Sequence, residues 1–397
     1  MSWIEGLLKD WSLSATIAGF LAVAISYAGP LVIVFQAGQQ AGLDNDMMIS
    51  WIWAISIGSA LASIALSLYY RIPVLLAWSI PGTVLLLDLL PQMTLSEMVG
   101  AYILTSVISL VIGASGYFDK LLSWIPQGVA AGMMVGILLN FGLQIFNSAS
   151  SSPTLVFTML IVYLIGRSVS PRYVIFWVLL SGLVAAYCLE GFGDTEIGFS
   201  IAKPQVIAPD ISWQAILNLA VPLVILNFTG QFLPGMALLR LNDYQMSSKP
   251  VINTASLTSL VIAPFGGISI VQAAVTATLC MGKECHEQSS QRYIGGVANG
   301  LFYLLGALFA GSLVGLFEIL PSALIGALAG LALLGALLNN LSIAMQVSAQ
   351  KEAALITFLT TASDISLLGL SSVFWGVVIG MISYFILNGR IFKKDIA

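Results

Sequence analysis

Apolar runs follow one another along almost the whole chain, and most are about the length a bilayer crossing requires. A helix needs roughly 20 predominantly apolar residues to pass the hydrocarbon core. In that medium every backbone polar group must be bonded internally, so spanning runs of this kind must be helical. We read fourteen of them, at 12–37, 48–69, 72–90, 96–115, 121–146, 153–168, 172–190, 212–240, 250–264, 267–281, 293–316, 320–346, 352–363 and 370–389. Of the 397 residues 58% are apolar and 8% charged, whereas a soluble domain carries nearer a half and a quarter. The expected fold class is therefore an all-α polytopic membrane protein. Met1 to Asp10 is short, mixed in charge and without a small-residue cleavage site, so it is expected to stay with the mature chain.

Charge orients the runs. With the N-terminus in the cytoplasm and the crossings alternating, thirteen of the 14 basic residues face inward and Lys203 alone faces outward. Its loop also carries Glu190, Asp194, Glu196 and Asp210. Lys and Arg in short loops set topology, so both termini are expected on the cytoplasmic side of a multi-pass protein in the lipid bilayer. The net charge of −4 comes mostly from those outer acids and implies no nucleic-acid partner. Cys188, Cys280 and Cys285 form no disulfide framework. Cys280, Cys285 and His286 match no standard metal site, so no metal and no cofactor are expected.

Seven crossings followed by seven run in opposite directions, and the fifth and twelfth runs support that division. One reads Trp124-Ile125-Pro126 with Gly132 and Gly136; the other reads Ile319-Leu320-Pro321 with Gly326 and Gly330. In each, a helix-starting proline precedes a glycine pair that lets another backbone come close. The expected organisation is a first repeat over 1–190, an outer linker over 191–211 and a second, inverted repeat over 212–397. Inverted repeats with broken helices at matching ranks mark secondary transporters.

The breaks are expected in the third and tenth runs, each read as a short extended stretch plus a half-helix. In the third, Pro73 and Pro81 bracket a stretch too short to cross, and Pro81 suits the first turn of a half-helix starting near mid-membrane. In the tenth, Pro264, Gly266 and Gly267 punctuate the chain before a half-helix expected to begin near Ser269. Irregular backbone at that depth must be buried in protein or line a wet cavity. Two opposed half-helix N-termini would favour an anion by about 0.3–1 kcal/mol each, up to about 2 when sheltered.

Several of these stretches resemble the benzoate/proton symporter family over nearly the full length. They are Ala77-Trp78-Ser79-Ile80-Pro81-Gly82, Gln231-Phe232-Leu233-Pro234-Gly235, Ala263-Pro264-Phe265-Gly266-Gly267, His286 with Arg292-Tyr293, Ala329-Gly330-Leu331-Ala332-Leu333-Leu334 and Phe374-Trp375-Gly376. The resemblance implies the fold shared with nucleobase and sulfate-type carriers. Segments 1–4 and 8–11 then form a core domain, and segments 5–7 and 12–14 form a gate domain. It also implies a bacterial cytoplasmic membrane, substrate between the third and tenth segments, and a homodimer as a common assembly. Four residues depart from the family pattern. Phe232 stands where Asn is common, Val271-Gln272 where Asn-Leu is expected, and Asp364 where glycine is usual.

The candidate substrate-binding residues surround the two breaks. Asn227 and Gln231 sit four apart in the eighth run, and an amide can bond a carboxylate without burying a second charge. Ser79, Gly82 and Thr83 flank the first half-helix start, while Gly267, Ser269 and Gln272 flank the other. Tyr27, beside Gly29-Pro30, is placed to border an aromatic substrate. Each also has a plainer use, as helix cap, interhelical bond or core. Asp88, the intramembrane acid, is the candidate for proton coupling because burying an acid is costly. A carboxylate substrate carrying its own proton is the alternative. His286 reads as a loop-bracing residue. Glu318 and Asp364 read as interfacial acids.

These readings lead to proton-coupled uptake of benzoate or a related small aromatic carboxylate by alternating access. The alternatives are a carrier of the same fold for another organic anion or nucleobase-like compound, and an anion channel. No paired acids with His, metal cluster or ATP-binding glycine loop is present in the sequence, so neither an enzyme nor an ATP-driven pump is expected.

Overall fold

The computed structural model describes residues 7, 9–118, 120, 125–171, 173–189, 201–273, 276–363 and 365–388. The side chain of Asp88, residue Asp364 and the outer acids Glu190, Asp194 and Glu196 lie outside the described residues.

The first apolar run folds as two helices, α1 (Leu13–Ala28) and α2 (Pro30–Gln40), broken at Gly29. Pro30 cannot donate to the preceding turn, so the helix restarts there. Next come α3 (Asn45–Tyr70), the strand β1 (Leu76–Trp78), the short helix α4 (Ile80–Leu89) and α5 (Leu95–Ser115). Three helices follow, α6 (Gln127–Ala149), α7 (Pro153–Val169) and α8 (Val174–Leu189).

The second half opens with α9 (Trp213–Leu241) and α10 (Ser248–Ile262). The strand β2 (Ile270–Gln272) and the one-turn helix α11 (Thr278–Met281) come next. The chain continues through α12 (Tyr293–Leu308), α13 (Ala310–Glu318), α14 (Ser322–Ala344), α15 (Lys351–Ala362) and α16 (Ser372–Leu387).

Among the described residues, six helices are long and apolar enough to cross a membrane alone, or seven if the bent pair counts as one span. That pair, Ser289–Leu308 and Ala310–Glu318, bends by 68°, so the run expected at 293–316 is not one straight helix. The remaining apolar runs fold as shorter pieces, among them α7, α8 and α16. Large apolar side chains such as Phe157, Ile161, Leu164, Trp177 and Val184 are exposed, as a surface facing lipid tails allows.

Small residues set the helix spacing. A methyl group on Gly132 would strike the Ala354 carbonyl, and one on Gly136 would strike Thr361, so the α6 glycine pair seats α15. The α14 pair seats α6 instead, with Gly326 against Ser148 and Gly330 against Phe141 and Ile145. On α16, Gly376 and Gly380 receive the side chains of Thr361 and Thr357. Van der Waals contact at short range replaces the hydrophobic drive that lipid removes.

The two strands are the other organising element. β1 and β2 pair antiparallel, with Leu76 opposite Gln272, Ala77 opposite Val271 and Trp78 opposite Ile270. The ladder extends at both ends, since Ser79 N–H donates to the Ser269 carbonyl at 2.8 Å and Ala273 N–H to the Leu75 carbonyl at 3.0 Å. Neighbouring helices seal the outer edges. Ser63 of α3 accepts from Leu76 N–H (2.9 Å) and donates to its carbonyl (3.1 Å). Ser67 does the same for Val74, at 3.3 and 3.1 Å. On the other strand, Ser259 of α10 accepts from Ile270 N–H at 2.8 Å.

A segment expected to be helical is therefore extended. The half-helix anticipated near Ser269 does not start there, because Ile270–Gln272 belong to β2 and the next described helix begins at Thr278. β-branched Ile268, Ile270 and Val271 suit a strand, and β1 supplies a partner for their backbone.

Removing one sealing hydroxyl leaves a buried N–H without its acceptor, which costs about 1–3 kcal/mol. Ser63→Ala is expected to lower the thermal unfolding midpoint in detergent. Ser342→Ala, which removes an exposed hydroxyl, should leave it unchanged.

Candidate functional site

The strand crossing brings together residues nearly 200 positions apart. α4 starts immediately after β1, with Ser79 as its N-cap and Pro81 in its first turn. The Ser79 hydroxyl accepts from Gly82 N–H at 3.2 Å, and Thr83 returns both its N–H and its hydroxyl to the Ser79 carbonyl. Pro81 has no N–H to give. The turn therefore offers fewer free donors than a half-helix start ordinarily does. Ser79 and Thr83 serve first as caps.

α9 passes beside this turn and is not a regular helix. Two π-helical turns interrupt it, at Ile216–Ala220 and Phe228–Phe232. Each lies just before a proline, Pro222 and Pro234. A helical proline clashes with the carbonyl four residues earlier, and that residue, 218 or 230, falls inside the widened turn. Such turns recur at functional sites. The second one holds Gln231, half-buried, and sets Gly230 toward the Pro81 ring. Across the helix, Leu223 faces Gly82, and Asn227 lies one turn further on.

Gln272 reaches from β2 onto the same helix. It lies against Gly235, where any side chain would collide with its Cγ and Cδ. Gln272 is 1% exposed, and neither its Oε1 nor its Nε2 has a hydrogen-bond partner among the described residues. The same is true of Asn227 Oδ1, Ser269 Oγ and the indole N–H of Trp78, all on buried residues. Leaving a buried polar group unbonded costs about 1–3 kcal/mol. Trp51, Tyr102, Asn253 and Asn299 carry such atoms outside this group, so the four residues at the crossing are available to a ligand without being unique in the fold.

The aromatic side of the site is built from α1, β1 and α12. Tyr27 stacks on Trp78 with ring centres 6.1 Å apart and planes at 20°, and Tyr303 meets both edge-on at 5.7 and 6.0 Å. The Tyr27 hydroxyl is held by Ser56 at 2.8 Å. Gly306 leaves room for the Tyr27 ring.

Not every expected residue joins this group. Gly267 packs against Ile262 and Ala54, so it shapes the turn rather than facing a ligand. Asp88 lies by its backbone in the last turn of α4. His286 Nδ1 accepts from Gln288 N–H, and the His286 carbonyl accepts from Arg292, which is the loop-bracing role expected of it. No group of three or more potential metal ligands occurs among the described residues.

Two cavities open among the helices around the crossing, the smaller reaching α4 only at Leu87, and none of the nine candidate binding residues lines either. The larger, about 520 Å3, lies between α6, α9 and α14. Its wall includes Gln127, Met134, Thr229, Gly230, Asn339 and Asn340, and through Gly230 it abuts the Pro81 turn. The smaller, about 290 Å3, lies between α2, α4, α6 and α14. Sequence reading missed these walls because they come from helices far apart in the chain. It also missed Trp78, Gly235 and the sealing serines. The signals available were Ser56, Ser59, Ser63 and Ser67 at helical spacing, and the prolines inside the 29-residue helix α9.

If Gln272 is kept for a ligand, removing its amide should help the empty protein. Gln272→Leu is expected to raise the unfolding midpoint of the ligand-free protein, by up to about 1–3 kcal/mol of stability. A fall in that midpoint would mean the amide is bonded and structural.

Comparison with known proteins gives consistent matches. Residues 9–386 match the family model described as benzoate membrane transport protein. A benzoate membrane transport protein of Acinetobacter baylyi is 57% identical over 97% of this chain and 98% of its own. The inner membrane protein YdcO of Escherichia coli is 37% identical over 94% of this chain and 95% of its own. Among solved structures, the fold is similar to the transmembrane domain of the cyanobacterial bicarbonate transporter BicA. That match has a TM-score of 0.60 at 15% identity, over 94% of this chain and 97% of that one. It is also similar to SLC26A9, with a TM-score of 0.64 at 13% identity, over 98% of this chain and 68% of that one.

Proposed function

The chain belongs to the benzoate membrane transport family, and from that premise we propose that it is a secondary transporter of benzoate or a closely related aromatic carboxylate. It carries this substrate with a proton across the bacterial cytoplasmic membrane by alternating access. The observation that supports this most is the set of unpartnered polar groups around the strand crossing, above all Gln272 and Asn227. Neutral amides bond a carboxylate without adding a second buried charge, and the Tyr27–Trp78–Tyr303 cluster lies on the aromatic side of the crossing. The α4 N-terminus adds a modest favourable field for the anion.

The larger cavity is the route between this crossing and one face of the membrane. In this reading the core domain comprises the segments around the two strands, 1–4 and 8–11. The gate domain comprises segments 5–7 and 12–14, of which α6 and α14 line both cavities. Relative movement of the two domains exchanges access, and a homodimer is the proposed assembly. Coupling runs through Asp88 or through the proton of the substrate itself.

The direct test is labelled benzoate uptake into proteoliposomes with and without an inward proton gradient. Accumulation driven by the gradient and competed by unlabelled benzoate is expected. Folded protein that takes up none would move the substrate to another organic anion, with Phe232, Val271 and Gln272 as the positions that redirect it.

Gln231→Ala should cut uptake about ten- to a hundredfold, the loss of a hydrogen bond to a charged group, with normal insertion. Wild-type rate and affinity would take Gln231 out of the site. Asp88→Asn is expected to flatten the pH dependence of uptake more than it weakens substrate binding. An unchanged pH profile would return Asp88 to a structural role and favour proton carriage by the substrate.

A further inference from the structure

The two cavities are assembled from matching parts in opposite order. The larger takes the N-terminal part of α6, the C-terminal part of α14 and a wall from α9, which opens the second half of the chain. The smaller takes the C-terminal part of α6, the N-terminal part of α14 and a wall from α2, which closes the first run. Each is thus the counterpart of the other under an inversion that exchanges the halves. The smaller lies on the face that the charge pattern assigns to the outside.

Its lining has its own chemistry. Five carboxamides converge on it, Gln36, Gln39 and Gln40 from α2 with Asn140 and Gln144 from α6. Gln36 is half-buried and the other four are exposed, so all five amides are open to a ligand. No charged side chain occurs among the described residues of the wall. Buried Leu87, Phe141 and Ile325 supply an apolar patch beside them. The volume, about 290 Å3, is close to the lower end for small-molecule sites, about 300–1,000 Å3, and suits a single ring.

We infer that this cavity is a second binding site for a single-ring aromatic carboxylic acid, which receives substrate before it reaches the strand crossing. The inference rests on the function proposed above. A carboxamide can donate its N–H to a carboxylate oxygen or accept the O–H of the neutral acid. The site therefore takes the ligand in either protonation state, as entry ahead of proton coupling requires. Uncharged donors also bind an anion weakly enough to release it inward. Leu87 ties the cavity to α4, the helix that begins at the crossing.

The test is sided. Labelled benzoate uptake is measured in right-side-out and in inverted membrane vesicles, for the full chain and for Asn140→Leu, Asn140→Gln and Gln36→Leu. Both Leu variants should raise KM about three- to tenfold in right-side-out vesicles, the worth of one hydrogen bond. In inverted vesicles the rise should stay below about twofold. Asn140→Gln, which keeps the amide, should restore the wild-type value. Equal rises in both orientations, no rise in either, or failure of Asn140→Gln to restore KM would each overturn the second site while leaving the transport function intact. Wild-type vesicles that take up no benzoate in either orientation would overturn both readings together.

Discussion

Backbone satisfaction inside an apolar slab is the constraint on which the rest of this structure depends. A helix that stops at mid-membrane exposes N–H and C=O groups that lipid cannot bond, each at a cost of several kcal/mol. The chain solves this by letting its two broken segments complete each other. β1 takes the inner edge of β2, and serines of α3 and α10 close the outer edges. Once that ladder exists, α4 can begin away from either surface, and α9 must pass close beside it.

Satisfaction of the backbone contrasts with the side chains at the same place. Ser63, Ser67 and Ser259 spend their hydroxyls on strand carbonyls and amides, whereas Gln272, Asn227, Ser269 and Trp78 are buried with polar atoms that find no partner among the described residues. An apolar residue of Gln272's shape would remove that cost. Gln272 stands where the family pattern has Leu, and it fits only because Gly235 has no side chain to collide with its Cγ and Cδ. Stability is given up where binding needs free donors and acceptors.

Much of this was legible because proline and glycine punctuate an otherwise uniform apolar chain. Pro73, Pro81, Pro264 and Gly266 marked the two irregular segments, and the motifs around Pro81 and Pro234 carried the family resemblance. What sequence missed follows from competition between local and distant partners. Ser269 to Gln272 read as a helix start when considered alone, and became a strand because β1, almost 200 residues earlier, offered a ladder. Pro222 and Pro234 were visible, yet their relief by widened turns rather than by a kink depends on the packing of α9. The bend at Phe309 and the cavity walls on α6 and α14 arise only when distant helices meet. Several apolar runs fold into helices of 10–17 residues, so length and composition alone do not fix the number of crossings.

The placement of the cavities bears on how such a crossing can work. α6 and α14 line both, one at each end, and Gly326 and Gly330 of α14 pack closely on α6 beside the smaller cavity. Tight packing of this kind resists bending but permits a rigid unit to tilt or slide, because contacts within the pair are kept while those to its neighbours change. The strand ladder is stiff for a different reason, since any shear within it would break buried hydrogen bonds. If core and gate move as proposed, two stiff bodies that meet along a polar, cavity-lined seam change which end of it is open without disturbing either interior. Both cavities are open to the surface in the present arrangement, the smaller with Gln39, Gln40, Asn140 and Gln144 exposed on its wall. In the proposed mechanism, motion at that seam enlarges one cavity and shrinks the other, so that the strand crossing faces each side in turn.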